Sequence, residues 1–130
     1  MDNFSIRSTK TDKVITFSNR DGEYFNFELK GCDVELRRRV TTYTDEFGIS
    51  KLFKEVASHK KPWKGAETWE SLEGELSLSV ECDSLGHVTI HINVTQWDGG
   101  KEDWHIKSSL LTDMGQLEQV AKDAVHFFNG

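Results

Sequence analysis

Between Ser71 and Gln96, apolar and polar residues alternate through two consecutive runs. Leu72, Gly74, Leu76, Leu78, Val80 and Cys82 take one parity, continued by Val88, Ile90, Ile92 and Val94. Glu73, Glu75, Ser77, Ser79, Glu81, Thr89, His91, Asn93 and Thr95 take the other. A period of two is that of a strand with one dry and one wet face, because successive side chains leave opposite sides of the pleat. Matching the dry faces sets Val80 opposite Ile90 and Leu78 opposite Ile92, leaving Ser84-Leu85-Gly86 as a three-residue loop. Glycine then falls at the third loop position, where left-handed backbone is wanted.

Four shorter strand-like runs precede this hairpin: Phe4 to Thr9, Lys13 to Ser18, Glu23 to Lys30 and Asp33 to Tyr43. Lys10-Thr11-Asp12, Asn19-Arg20-Asp21-Gly22 and Gly31-Cys32 separate them, so the region reads as an antiparallel meander. Thr44-Asp45-Glu46 offers capping oxygens, and Ile49, Leu52, Phe53 and Val56 follow at helical spacing, predicting an amphipathic helix that ends near His59. Lys60-Lys61-Pro62 closes it. Trp63 to Glu70 has no period and reads as an ordered lid over one end of the core. After the connection Trp97 to Asp103, the run Trp104 to Leu111 continues the dry face through Trp104, Ile106 and Leu110. Asp113-Met114-Gly115-Gln116 resembles a capping box, and Met114, Leu117, Val120, Ala121, Ala124 and Phe128 form the stripe of a terminal helix. The expected fold is α+β: one domain over residues 1–130 with a single antiparallel sheet of about seven strands. Its order is β-β-β-β-α-β-β-β-α, with both helices packed on one face of the sheet.

At 130 residues the chain suits one core, which buries roughly two thirds of the unfolded surface. The 36% hydrophobic and 29% charged content is that of a soluble globular protein, and no run approaches the roughly 18 apolar residues of a membrane span. Met1-Asp2-Asn3-Phe4-Ser5 lacks the basic and apolar segments of a secretory signal. Cys32 and Cys82 read as core thiols in a reducing compartment, so the expected location is the cytoplasm. A net charge of −6 argues against a nucleic-acid partner, because phosphate binding draws on clustered Lys and Arg. An acidic protein prefers basic or neutral partners.

The histidines invite a metal reading, above all His87, His91 and His105. Four residues along a strand, however, span about 13 Å, too far for one ion. The register that sets His105 opposite Thr95 leaves His91 opposite Ser109, so they do not converge; no metal and no cofactor is expected. Cys82 has the parity of the dry face whereas His87 and His91 have the other, which parts a thiol from its would-be base. Paired acids from Glu73, Glu75, Glu81 and Asp83 line an open strand face instead of a cleft. His126, on the terminal helix, reads as helix surface. In Arg37-Arg38-Arg39, the middle residue shares parity with Leu36 and Val40: either a bulge or strand end turns Arg38 to water, or a carboxylate pairs it in the interior.

What remains is binding. The wet face offers Glu73, Glu75 and Glu81 for steering, Ser77, Ser79, Asn93 and Thr95 for hydrogen bonds, and His91 and His105 beside them. Trp97 has the parity of this face at the mouth of the Gly99-Gly100 loop, where an exposed Trp on a polar rim has hot-spot composition. The alternative is a small-ligand pocket between the sheet and the lid bearing Trp63 and Trp69. No catalytic residue is assigned.

Trp63-x-Gly65, Trp69-x-Ser71-Leu72-x-Gly74-Glu75-Leu76, Gly86-His87-Val88 and Gly115-Gln116-Leu117 resemble a small bacterial family of unknown function. The resemblance covers most of the chain, more faintly before residue 23, and implies no activity or catalytic residue. In size, charge and fold type the chain is also similar to immunity proteins of toxin systems, which bind and block a cognate toxin. That likeness implies a non-enzymatic partner-binding protein facing a basic toxin domain; the chain is expected to be a monomer or weak dimer.

Overall fold

The computed structural model describes residues 3–97 and 99–129. Met1 and Asp2 of the N-terminal segment, Asp98 of the Trp97 to Asp103 connection, and Gly130 lie outside the described residues. In chain order the elements are β1 (Asn3–Arg7), β2 (Val14–Asp21), β3 (Tyr24–Gly31), β4 (Val34–Thr41), α1 (Gly48–Ala57), β5 (Glu67–Glu70), β6 (Leu76–Cys82), β7 (His87–Gln96), β8 (Trp104–Asp113) and α2 (Leu117–Asn129). The fold is α+β, with two helices and antiparallel sheets.

The expected single sheet of about seven strands is instead two four-stranded sheets, ordered β1-β2-β3-β4 and β5-β6-β7-β8. Alternation tells each strand which side is dry but not which strands are neighbours, and the chain between β4 and β5 is taken up by α1. The eighth strand comes from the segment read as a lid, since Glu67 to Glu70 pairs with β6. The helices pack on one another as well as on strands: α1 touches α2 and β5, while α2 touches β1.

The hairpin registers are those the sequence pattern requires. Val80 faces Ile90 and Leu78 faces Ile92, and Gly86 takes φ +85° in the loop. On the next pair His105 faces Thr95 and His91 faces Ser109. The run does not start at Ser71, because residues 71–75 form a turn with Gly74 at φ +77° and β6 begins at Leu76. Leu72 consequently lies exposed, not on the dry face.

One apolar cluster joins the dry faces of both sheets to both helices. Its aromatic centre stacks Phe4 on Phe17 at 4.6 Å between ring centroids and sets Phe128 edge-on to Phe25 at 5.3 Å. Hydrogen bonds close the seam between the sheets. At one end the Thr9 amide donates to the Leu111 carbonyl at 2.9 Å, and Lys13 Nζ donates to the Ser109 carbonyl at 2.7 Å, which protects the outer edge of β8.

Arg38 bridges the sheets at the other end. The register through Phe27 and Arg38 is continuous, so no bulge turns this residue outward, and among the described residues its partners are backbone carbonyls, not a carboxylate. Its half-buried guanidinium donates to the carbonyls of Thr95 at 2.9 Å and Arg39 at 2.7 Å. Two backbone acceptors thus do what a carboxylate was expected to do.

Both helix starts differ from the expected caps. Phe47 is the N-cap of α1 with no side-chain bond to the helix; the Asp45 carboxylate instead accepts the Trp69 indole N–H at 3.0 Å. Asp113 makes no side-chain cap either, and Met114–Gln116 forms a 3-10 turn before α2. Among the described residues, no helix is long and apolar enough to cross a membrane.

Candidate functional site: a polar sheet face and its aromatic end

The wet side of the second sheet is built in cross-strand rows. Thr68, Ser79, His91 and Ser109 form one row across all four strands, and Glu70, Ser77, Asn93 and Lys107 form the next. Side chains on this face link diagonally: His91 Nε2 lies 3.0 Å from Glu81 Oε1, and His105 Nε2 lies 3.2 Å from Asn93 Oδ1. Ser77, Ser79, His91 and Asn93 are half-buried, Glu81 and His105 exposed. The helices and the core occupy the opposite side of the sheet, which leaves this face open.

Six of the expected partner-binding residues, Ser77, Ser79, Glu81, His91, Asn93 and His105, therefore share one surface. Glu73, Glu75, Thr95 and Trp97 do not. Glu75 is only 5% exposed, because the turn at Gly74 rotates it off the strand parity and into the seam between the sheets. There its carboxylate accepts the Ser71 hydroxyl at 2.7 Å and the Thr41 amide at 3.3 Å. Thr95 is buried too, its amide bonded to the Glu75 carbonyl and its carbonyl to Arg38. Glu73 is exposed on the 71–75 turn, and its carbonyl accepts the Trp97 indole N–H at 3.3 Å. Trp97 itself is 58% exposed, held at the edge by that bond instead of folding over the sheet.

The opposite end holds the lid. Trp69 is buried beside Asp45, whereas Trp63 is half-buried and stacks on His59 at 4.5 Å. His59 in turn meets Glu67 at 3.1 Å. A cleft of about 610 Å³ opens between Pro62 to Gly65 and the strand end at Glu81 to Ser84. The Cys82 thiol faces it; burial pushes the thiol's pKa up, with the Trp63 backbone amide acting in the opposite direction and the nearby Asp83 carboxylate adding to the rise. Asp83 is held below the usual carboxylate range, first by the His87 amide and then by the Leu85 amide and the His87 ring. The Trp63 indole nitrogen is buried without an acceptor.

Among the described residues no three His, Cys, Asp or Glu side chains gather as metal ligands. His87 pairs with Asp83, and His91 with Glu81, on the side of the sheet away from the core. Parity places Glu75 on the wet face, where it does not lie, and marks Arg38 as an inward position without giving its backbone-carbonyl partners. The pairing of Gly74 with a serine three residues before it was the available signal for a turn at that point.

Two four-stranded antiparallel sheets and two helices around a shared core define an α+β domain. The chain belongs to a family of unknown function, DUF6228, whose family model matches residues 6–130. Among curated proteins, no sequence matches the chain.

Proposed function

We propose that this chain is a non-enzymatic protein-binding domain of the immunity type, which neutralises a basic toxin domain by covering its active site. The observation that carries the reading is the open face of β6, β7 and β8. Its hydroxyl, amide and imidazole groups are arrayed in rows that a partner can meet without rearranging the backbone. Glu81 and the net charge of −6 favour a cationic partner and speed its approach. The bacterial source and cytoplasmic site belong to the same proposal.

Co-expression with the product of the adjacent gene, followed by size-exclusion chromatography, tests it. A stoichiometric complex that Ser79→Trp abolishes, with the fold intact by circular dichroism, is the expected result. Recovery of the chain alone overturns the reading.

The Trp63 cleft favours a second reading, a small-ligand module. A buried indole N–H without an acceptor costs about 1–3 kcal/mol, and a ligand oxygen placed there would recover it. Quenching of Trp63 fluorescence by one compound of a metabolite panel, absent in Trp63→Phe, would support this module against the first.

A further inference from the structure

The two ends of the molecule differ in charge and in apolar exposure. One end is formed where β3 and β6 begin and where β4 and β7 finish; the Thr41 to Glu75 bond ties the two sheets together there. Its connections, residues 22–23, 42–47, 71–75 and 97–103, carry seven carboxylates and one lysine among the described residues. At the far end the connections 8–13, 32–33, 58–66 and 83–86 carry five lysines and three carboxylates. A cationic body approaching this dipolar chain is turned toward the acidic end.

Apolar exposure follows the same division. Of the eight large apolar side chains most exposed among the described residues, five lie at the acidic end: Tyr24, Tyr43, Phe47, Leu72 and Trp97. They surround a rigid base. Tyr24 faces Thr41 across the first sheet, the Tyr43 amide donates to the Thr41 hydroxyl at 3.1 Å, Leu72 lies on the 71–75 turn, and the Trp97 indole donates to that turn's Glu73 carbonyl. Arg39 sits 5.5 Å from the centre of the Tyr24 ring, which fixes that ring in place. Tyrosine and tryptophan anchored on a fixed backbone and rimmed by carboxylates are the composition of an interface core for a basic partner. Among the described residues the large apolar side chain exposed on the polar face of β6 to β8 is Leu111, opposite Thr89, with no exposed tyrosine or tryptophan beside it.

We infer that the acidic end, centred on Tyr43 and Trp97, is the anchoring part of the binding surface and takes a basic polypeptide segment that carries an apolar residue between its cations. The inference rests on the binding-protein reading and moves its energetic centre from the sheet face to the end of the molecule. The apolar residue of the segment packs among Tyr43, Leu72 and Trp97, and its cations meet Glu23 and Glu73, beside the Glu46 carboxylate that Arg20 already pairs at 3.0 Å.

A random-peptide library displayed on phage, panned on the wild-type chain, is the test. Enriched peptides rich in Lys and Arg with an aromatic or aliphatic residue are expected. Affinity of a synthetic representative should fall at least tenfold in Tyr43→Ser and in Trp97→Ser and change less than twofold in Leu85→Ser, an exposed position at the far end. Should a substitution disturb the fold, the wild-type chain still decides: added peptide must shift the Trp97 indole and Tyr43 amide resonances ahead of those of His91 and Asn93. Absence of enrichment, enrichment of acidic sequences, or shifts centred on His91 overturns the inference. Peptides lost in Ser79→Trp but kept in Tyr43→Ser overturn it while leaving the sheet-face reading standing; end-bound peptides without a complex in the co-expression test have the reverse meaning.

Discussion

Thr41 on β4 donates its backbone amide to the carboxylate of Glu75 at 3.3 Å, across the junction between the two sheets. The second carboxylate oxygen accepts the Ser71 hydroxyl at 2.7 Å, so one buried acid satisfies a strand-end amide and pins the turn in front of β6. Hydrogen bonds to a charged acceptor contribute more than neutral ones, and deleting the acceptor strands both donors. Glu75→Ala should cost about 3 kcal/mol by urea denaturation, with Glu75→Gln losing less because an amide oxygen still accepts. Equal midpoints for wild type and Glu75→Ala would show that the seam does not depend on this residue.

A second test concerns the close approach of α1 to the second sheet. Gly48 opens α1 directly against the Asp45 carboxylate and the Trp69 indole nitrogen, and a Cβ at position 48 would collide with both. Those two groups are hydrogen-bonded to one another at 3.0 Å. Gly48→Ala must therefore push α1 away from β5 or break that bond, at a cost of about 1–3 kcal/mol. Altered Trp69 near-ultraviolet dichroism together with a lowered melting temperature is the expected signature.

The parts of this fold legible in the sequence are those where one physical rule suffices. Dry-face parity plus a glycine at the third loop position determines the register of β6 and β7, because a slip of one residue would turn Leu78 and Ile92 into water. The division into two sheets is not legible that way: Leu36 and Leu76 have the same patterning whether or not their strands pair. Glu75 and Arg38 show the second limit. Each was read from its parity alone, whereas Glu75 is governed by the Gly74 turn and Arg38 by two backbone carbonyls, Thr95 distant in sequence and Arg39 beside it. Of the candidate surface, Ser77, Ser79, Glu81, His91, Asn93 and His105 could be placed together from alternation. The grouping of Tyr43, Leu72 and Trp97 could not, because it arises from three separate connections meeting at one end.

Acid sensitivity follows from Asp83. Its carboxylate accepts the amides of His87 and Leu85 at 2.9 Å each and lies 3.0 Å from His87 Nδ1, which holds its pKa below the ordinary value near 3.9. A carboxyl whose folded pKa is depressed contributes stability above its unfolded pKa and loses that contribution as pH falls through the folded one. The unfolding midpoint of wild type should exceed that of Asp83→Asn at pH 7, and the gap should close as the pH falls below about 4. A gap that is constant from pH 7 to pH 2 would mean that the loop does not draw on the charge.

The two thiols should separate kinetically. Cys32 is exposed in the β3 to β4 turn, whereas Cys82 is half-buried beside Trp63, and its thiol donates to the Asp83 carbonyl at 3.3 Å. Burial raises the pKa of Cys82, so less of its nucleophilic thiolate is present at neutral pH. Iodoacetamide at pH 7.5 should label Cys32 first, and Cys82 should follow more than tenfold more slowly in the folded chain. Urea at unfolding concentrations should bring the two rates together. Equal rates in the folded state would mean that the Trp63 segment opens freely over Cys82, and in that case Trp63→Ala would leave the Cys82 rate unchanged. If the segment is held by the His59 stack, Trp63→Ala should instead raise the Cys82 rate toward that of Cys32.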